Sequence, residues 1–385
     1  MNFIPYGRQD ITKEDIDAVV KTLQSDYLTQ GPVVEKFETS LKNYCDAKYS
    51  IAVNSATSAL HIACLAIGVQ KGDIVWTSPI TFVASANCAL YCGASIDFVD
   101  INFDTNNICI DALKEKLKKA KSENCLPSVL IPVHMCGTCC DMESIFNLSK
   151  EYGFKIIEDA SHAIGGKYKN SKIGESKYSD ITVFSFHPVK IITTGEGGAA
   201  LTNNKEIFKK LALFRSHGVT RDSSQMTKMP EGDWYYEQTE LGFNYRMTDI
   251  QAALGVSQIS RIDSYVSKRN EIAEYYDKNL SYLPIELPKT PDDVYSSYHL
   301  YIIKLSQDAS IKRKELFNFL RNNKIGVNVH YIPVHLQPYY KKRGFSEGDF
   351  PEAERFYRQA ISLPLHPNLS KKDQDFIIDT LKNYL

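Results

Sequence analysis

The sequence lacks any long apolar run. No stretch of its 385 residues approaches the roughly 18 to 20 apolar residues that cross a bilayer, and Met1–Asp10 has no apolar core behind a basic start. Neither a membrane partner nor a secretory leader is expected. Charge of one sign is also missing: 45 Lys plus Arg stand against 46 Asp plus Glu, so there is no broad positive field with which to neutralise nucleic-acid phosphates. Any phosphate must be bound locally. Cysteine is absent after Cys140, and the nine present form an odd set between Cys45 and Cys140. That distribution argues against a disulfide framework and for reduced thiols in the cytoplasm. No repeat, low-complexity tract or long linker is found.

What remains is a soluble globular composition, 43% hydrophobic and 24% charged, on a chain longer than one ordinary domain of roughly 100 to 200 residues. Short apolar runs alternate with helical stretches from about Tyr49 to Asn204, the pattern of a parallel sheet covered by helices. The expected strands are Ser50–Val53, Ile74–Thr77, Ser95–Val99, Ser128–Val133, Lys155–Glu158, Ile181–Phe184 and Ala199–Thr202. Most are too apolar to have a wet face. A second segment follows the helical run Thr248–Ile262, with strands expected near Tyr298–Leu305 and Val327–Tyr331. The division expected is a large α/β domain over 1–264, beginning with an N-terminal arm at 1–30, and a smaller α+β domain over 265–385.

Ligands of such sheets lie beyond the carboxyl ends of the strands, and four of those ends are informative. Asn54-Ser55-Ala56-Thr57-Ser58 leads a strand into a helix; its free amides and hydroxyls suit a phosphate dianion or serve as an ordinary N-cap. Ile157-Glu158-Asp159-Ala160-Ser161-His162 ends a strand in two acids, which must face opposite ways because strand side chains alternate. Asp159 is chosen to meet a pyridine nitrogen, keeping it protonated, with His162 near the ring's phenolic oxygen; the plain alternative is a strand-end acid that caps a turn.

In Phe184-Ser185-Phe186-His187-Pro188-Val189-Lys190, a lysine leaves a buried strand through a proline turn ahead of the glycines at 195, 197 and 198. This placement suits Schiff-base chemistry once burial lowers the amine's pKa, although an exposed lysine is the commoner case. Ser185 adds a hydroxyl to the phosphate site, and His187 is either a packing histidine or a substrate contact. After the strand Ile74–Thr77, Phe82 is either core or a lid on a ring. The four ends agree on one phosphate-bearing, ring-containing aldehyde, pyridoxal phosphate (PLP).

The ordered motifs NSATSAL, PITFVASANC, EDASHAIGG, FSFHPVKIITTGEGG and LGFNYRMTDIQAALG resemble the DegT/DnrJ/EryC1/StrS family of nucleotide-sugar aminotransferases across essentially the whole chain. The resemblance implies the PLP-dependent transferase fold of type I, like aspartate aminotransferase. It places Asp159 on the ring nitrogen, His162 at the phenolic oxygen, Lys190 as the covalent attachment, Phe82 on the ring face, and Ala56, Thr57 and Ser185 on the phosphate. It also implies an Asn reaching in from a neighbouring subunit, here Asn244, and hence a homodimer with shared sites. Thr248 and Gln251 form a capping-box pattern, so Asn244-Tyr245-Arg246 is expected in a loop just outside a helix start.

Further stretches, SDYLTQGP at 25–32, RSHGVTRD at 215–222, WYYE at 234–237 and GVNVHYIPVHLQPYY at 326–340, resemble the branch that uses L-glutamate to aminate C4 of a UDP-linked 4-keto-6-deoxy sugar on the way to pseudaminic acid. Tyr6, Thr29, Gln30, His187, Arg215, His217, Arg246, Tyr331 and His335 become candidate substrate contacts on that ground. Two other classes are weighed. A sugar dehydratase of the same fold carries His where the lysine stands, and Lys190 argues against it; a silent sugar-nucleotide-binding dimer would not need Asp159, His162, Ser185 and Lys190 together. Cys136, Cys139 and Cys140 contain a Cys-x-x-Cys, but no second pair follows, whereas structural zinc takes four ligands. They are read as small residues in a strand-end loop close to the cofactor, with no metal.

Overall fold

The computed structural model describes residues 2–306 and 312–385. Seven strands form the main sheet: β1 (Tyr49–Val53), β2 (Ile74–Thr77), β3 (Ser95–Phe98), β4 (Val129–Ile131), β5 (Lys155–Asp159), β6 (Ile181–Ser185) and β7 (Gly198–Thr202). Their order is β1-β7-β6-β5-β4-β2-β3. Neighbours in every strand but the edge strand β3 enter opposite cores. Ile157, Val183 and Ala200 join one cluster with Leu60, Ile62 and Leu211, while Ile156, Phe184 and Leu201 join another with Phe37, Leu41 and Ile145. A sheet packed on both faces needs continuous apolar runs, which is why the strand positions read so well from sequence.

The sheet is mostly parallel, as expected, and its exception is β7, which runs antiparallel to both β1 and β6. In the C-terminal region, β9 (Tyr301–Leu305) is flanked by the short β8 (Ile285–Glu286) and by β10 (Ala360–Leu363). Val327–Tyr331 is not a strand; it makes a single bridge, Asn328 to Ser362, and Val327 packs into the local core. The strand near Tyr298 starts late because Tyr298 itself has φ +44°, a left-handed conformation that cannot join a ladder.

The capping box is present: Thr248 Oγ1 accepts from Gln251 N at 3.2 Å, and Gln251 Oε1 accepts from Thr248 N at 3.0 Å. The helix so started covers Asp249–Ile259, and a second helix, Ile262–Leu280, follows after two residues. The 264/265 boundary lies inside this second helix, which serves two cores. Ile262, Tyr265 and Val266 pack on the main sheet, while Ile272, Tyr276 and Leu280 pack with β9 and β10. The N-terminal arm is tied to both regions: Ile4 bridges Ile325, and the arm's end is held by Asp249. The fully buried carboxylate of Asp249 accepts from Gly31 N (2.7 Å), Val33 N (2.8 Å) and Val34 N (3.2 Å), caring for the orphan amides that begin the helix Pro32–Cys45.

Asp249→Ala would strand three donors in a buried place. It should lower the free energy of unfolding by about 2 to 4 kcal/mol, read as a drop in the urea midpoint at unchanged slope, with Asp249→Asn losing less because one acceptor oxygen survives. A midpoint equal to the wild type's would show that this cap does not anchor the arm.

Candidate active site

The carboxyl ends of β1, β5 and β6 open onto a cavity of about 920 Å³, as expected for a sheet of this kind. Of the residues selected from sequence, Tyr6, Ala56, Thr57, Phe82, Asp159, His162, Ser185, His187, Lys190 and Tyr331 all line it. At the end of β1, Ser55 is the N-cap of the helix Ala56–Ala66, its Oγ accepting from Ser58 N at 3.1 Å. The helix's first amides and its positive dipole end therefore belong to the cavity wall at Ala56 and Thr57. β7 passes directly behind: a Cβ on Gly198 would lie 2.5 Å from Ala56 N, so only glycine lets the strand and the helix start approach this closely.

Strand alternation separates the two acids at the end of β5. Glu158 turns away from the cavity into a buried network, with His134 Nε2 at 2.8 Å and hydroxyls of Thr182 (3.1 Å) and Ser179. Asp159 turns into the cavity and is buried, Oδ1 accepting from Ser161 N at 3.1 Å and Oδ2 from Ser85 Oγ at 2.6 Å. Lys190 sits in the loop after β6, where its amide donates to His187 O at 2.9 Å. Burial of the amine pulls its pKa down to about 8, against the opposing pull of Asp159.

Three buried histidines share this region with the exposed His187. His162 is held well below the ordinary imidazole range by burial and then by Lys190 and His330; His299, by burial, Lys190 and His162; His330 is pushed down to about 4 by burial and Lys190. All three are neutral at pH 7. Tyr331 Oη lies 3.3 Å from His162 Nε2, and burial raises its phenol pKa, so the phenol is the donor and the imidazole proton sits on Nδ1. That nitrogen is buried with no partner. Phe82 is 60% exposed, which excludes the core reading for it, and its ring tilts at 55° to Tyr331 with centroids 6.3 Å apart.

The other selected residues lie outside the lining. Arg215 is taken up by Glu38 and Ala52 O, and the buried His335 by Glu354 at 3.0 Å. Thr29 bridges Thr248, Asn244 bridges Ser216 and Arg246 bridges Val53, while Gln30 and His217 are exposed at φ +55° and +62°. Asn244 borders the rim, its carbonyl 3.5 Å from Asn54 Nδ2. Cys136, Cys139 and Cys140 are buried outside the cavity, Cys139 Sγ being 3.7 Å from His134 Nε2. Among the described residues, no group of three or more His, Cys, Asp or Glu is arranged to hold a metal ion. The selection from sequence passed over Ser85, His299 and His330. Ser85 lies within PITFVASANC and His330 within GVNVHYIPVHLQPYY, so the sequence signal for both is the motif around them.

The residues fit PLP. A helix start and the Ser185 hydroxyl suit its phosphate, Asp159 its ring nitrogen, the unpartnered Nδ1 of His162 its phenolic oxygen, and a lysine of lowered pKa its aldehyde.

The sequence pattern of the DegT/DnrJ/EryC1/StrS aminotransferase family matches residues 9–382. The UDP-4-amino-4,6-dideoxy-N-acetyl-beta-L-altrosamine transaminase of Campylobacter jejuni is 40% identical over 99% of this chain and 97% of its own. Among solved structures, Helicobacter pylori PseC, an aminotransferase involved in the biosynthesis of pseudoaminic acid, superposes with a TM-score of 0.90 at 33% identity, covering 99% of both chains. The PLP form of Spr1654, a sugar aminotransferase homologue from Streptococcus pneumoniae, gives 0.89 at 32% identity over 99% and 98%. The chain belongs to the DegT/DnrJ/EryC1/StrS aminotransferase family of PLP-dependent enzymes.

Proposed function

We propose that this enzyme moves an amino group from L-glutamate to C4 of a UDP-linked 4-keto-6-deoxy-N-acetyl-hexosamine, forming UDP-4-amino-4,6-dideoxy-N-acetyl-beta-L-altrosamine for pseudaminic acid biosynthesis. The observation that carries the reading is the convergence of Lys190, Asp159 and His162 on one cavity of about 920 Å³. That is near the top of the roughly 300 to 1,000 Å³ usual for small-molecule sites, room for a nucleotide sugar as well as a cofactor. The names of the Campylobacter and Helicobacter relatives support the sugar.

PLP, when bound, supplies an electron-withdrawing ring that stabilises negative charge on the carbon beside the transferred nitrogen. Ala56, Thr57 and Ser185 hold the phosphate in this reading, Asp159 the ring nitrogen, His162 the phenolic oxygen and Phe82 the ring face. Lys190 carries the cofactor and the proton. With a pKa of about 8, roughly a tenth of its Nζ is neutral at pH 7, so it can take a proton from the reacting carbon and return one. Phe82 and Tyr331 screen that carbon from water, and Tyr6, His187 and Tyr331 meet the substrate. Arg215 and His335 are left out because neither lines the cavity and each is engaged by a carboxylate of its own chain, Glu38 and Glu354.

We assign the enzyme to the cytoplasm, in keeping with nine free cysteines; no helix among the described residues is long and apolar enough to cross a membrane. We divide the chain at about residue 264, along the helix that serves two cores. We also propose a homodimer in which Asn244 completes the partner's phosphate site. Asn244 is exposed, and the segment that precedes it bears Met229, Trp234 and Leu241 at 87%, 73% and 78% exposure. Such a run of apolar surface suits burial against a second copy.

Borohydride treatment of protein incubated with PLP should fix the cofactor's mass to the peptide containing Lys190. Because the neutral amine is the nucleophile, labelling should rise with pH through a midpoint near 8, against above 10 for a solvated lysine. Label on a different lysine, or a midpoint near 10, contradicts the assignment, as would measurable turnover by Lys190→Ala.

The two acids should separate in kinetics and stability. Asp159→Asn should lower kcat by roughly a hundredfold or more at little cost in Tm. Glu158→Gln should lower Tm and leave kcat within about tenfold. The reverse pattern would exchange their roles.

Complementation tests the shared site. Lys190→Ala and Asn244→Trp, each inactive alone, should recover about a quarter of wild-type activity after random subunit exchange, since about half the dimers would be mixed and each mixed dimer would own one intact site. Background activity after exchange has been verified by native mass spectrometry would place Asn244 in its own chain's site.

A further inference from the structure

We infer that Ser85 is a positioning residue for Asp159, fixing the carboxylate that meets the cofactor's ring nitrogen; the inference rests on the assignment of Asp159 made above. Ser85 is fully buried on the helix Ala84–Tyr91, which follows β2. Its single hydroxyl proton has three acceptors in range: Asp159 Oδ2 at 2.6 Å, Thr81 Oγ1 at 2.7 Å and Phe82 O at 3.4 Å. A short bond to an anion outcompetes one to a neutral hydroxyl or carbonyl, so the proton points at Asp159. Thr81 Oγ1, buried and 2.7 Å from Ser85 Oγ, is then the donor to Ser85. Thr81, Ser85 and Asp159 thus form a chain in which each bond polarises the next, at a place shielded from water.

With Ser161 N on Oδ1 and Ser85 on Oδ2, each carboxylate oxygen has one donor, and the group cannot turn about its terminal bond without breaking both. A carboxylate has about four lone-pair sites, so acceptor capacity remains for the ring nitrogen in a fixed direction. Phe82 lies on the same turn, between Thr81 and Ser85. One short segment after β2 therefore sets both the aromatic proposed for the ring face and the orientation of the anion proposed for the ring nitrogen.

The test is the affinity of the apo-protein for PLP, measured by equilibrium dialysis, in a double-mutant cycle. Ser85→Ala should weaken binding about tenfold in the wild-type background and less than twofold in Asp159→Ala, where nothing is left to orient; Thr81→Val should weaken it about threefold. Thermal unfolding of each apo-protein checks folding, and if Ser85→Ala does not fold, the Thr81→Val arm of the same cycle decides. Equal losses in the two backgrounds would reduce Ser85 to a packing residue, and wild-type affinity in the Ser85→Ala protein would overturn the inference while leaving the cofactor site intact. Failure of the wild-type apo-protein to bind PLP would instead overturn the cofactor assignment, and this inference with it.

Discussion

Opposite facing of consecutive strand residues is the constraint on which this site depends. At the end of β5 two carboxylates stand side by side in sequence, and the pleat sends them to different surroundings. Glu158 is spent on His134 and two hydroxyls, while the next residue, Asp159, faces the cavity. Its backbone is pinned as well: Asp159 N donates to Pro132 O at 2.9 Å, and His134 N donates to Asp159 O at 3.1 Å. The neighbouring strand end therefore grips both the backbone of Asp159 and, through His134, the side chain before it. Shifting the register by one residue would exchange the acids and turn Glu158 into the cavity in place of Asp159.

Around that anion, burial decides which bases carry charge. One lysine and three imidazoles lie in a common poorly solvated region, and desolvation is the largest cause of the lowered pKa of each. Positive charge is costly there beside a second positive charge. The histidines are therefore neutral, and the lysine is left as the base that titrates near physiological pH.

Much of this was legible because a sheet covered on both faces writes continuous apolar runs, and chemistry follows their ends. Lys190, Asp159 and Phe82 could be found that way. The reversed direction of β7 could not be read from apolarity, which is blind to strand sense. A signal existed in the connection: the residues between Ser185 and Gly198 carry Pro188, Gly195 and Gly197 but no helical period, and a parallel return needs a crossover, usually a helix. Val327–Tyr331 misled because alternating Val327, Val329 and Tyr331 imitate a strand. His299 and His330 reach the cavity from a distant part of the chain, and no local spacing encodes that meeting. Ser85 looks like an ordinary small helix residue, since its partner lies 74 positions away.

The reversed strand has a topological consequence for the lysine. Because β7 pairs antiparallel with β6, Ser185 lies opposite Gly198, and the chain leaves and rejoins the sheet at the same rim. The intervening loop is closed at its neck, with Phe186 N bonded to Gly197 O at 2.9 Å and Thr194 N to Phe186 O at 3.0 Å. Lys190 is thus borne on a ring of backbone with no free end, and carrying its Cα away from the cavity would require unzipping sheet pairing. Much of the conformational entropy of presenting the amine to the cavity has then already been lost in folding, and under the function proposed above the motion left to catalysis is rotation along the lysine's own four-carbon stem.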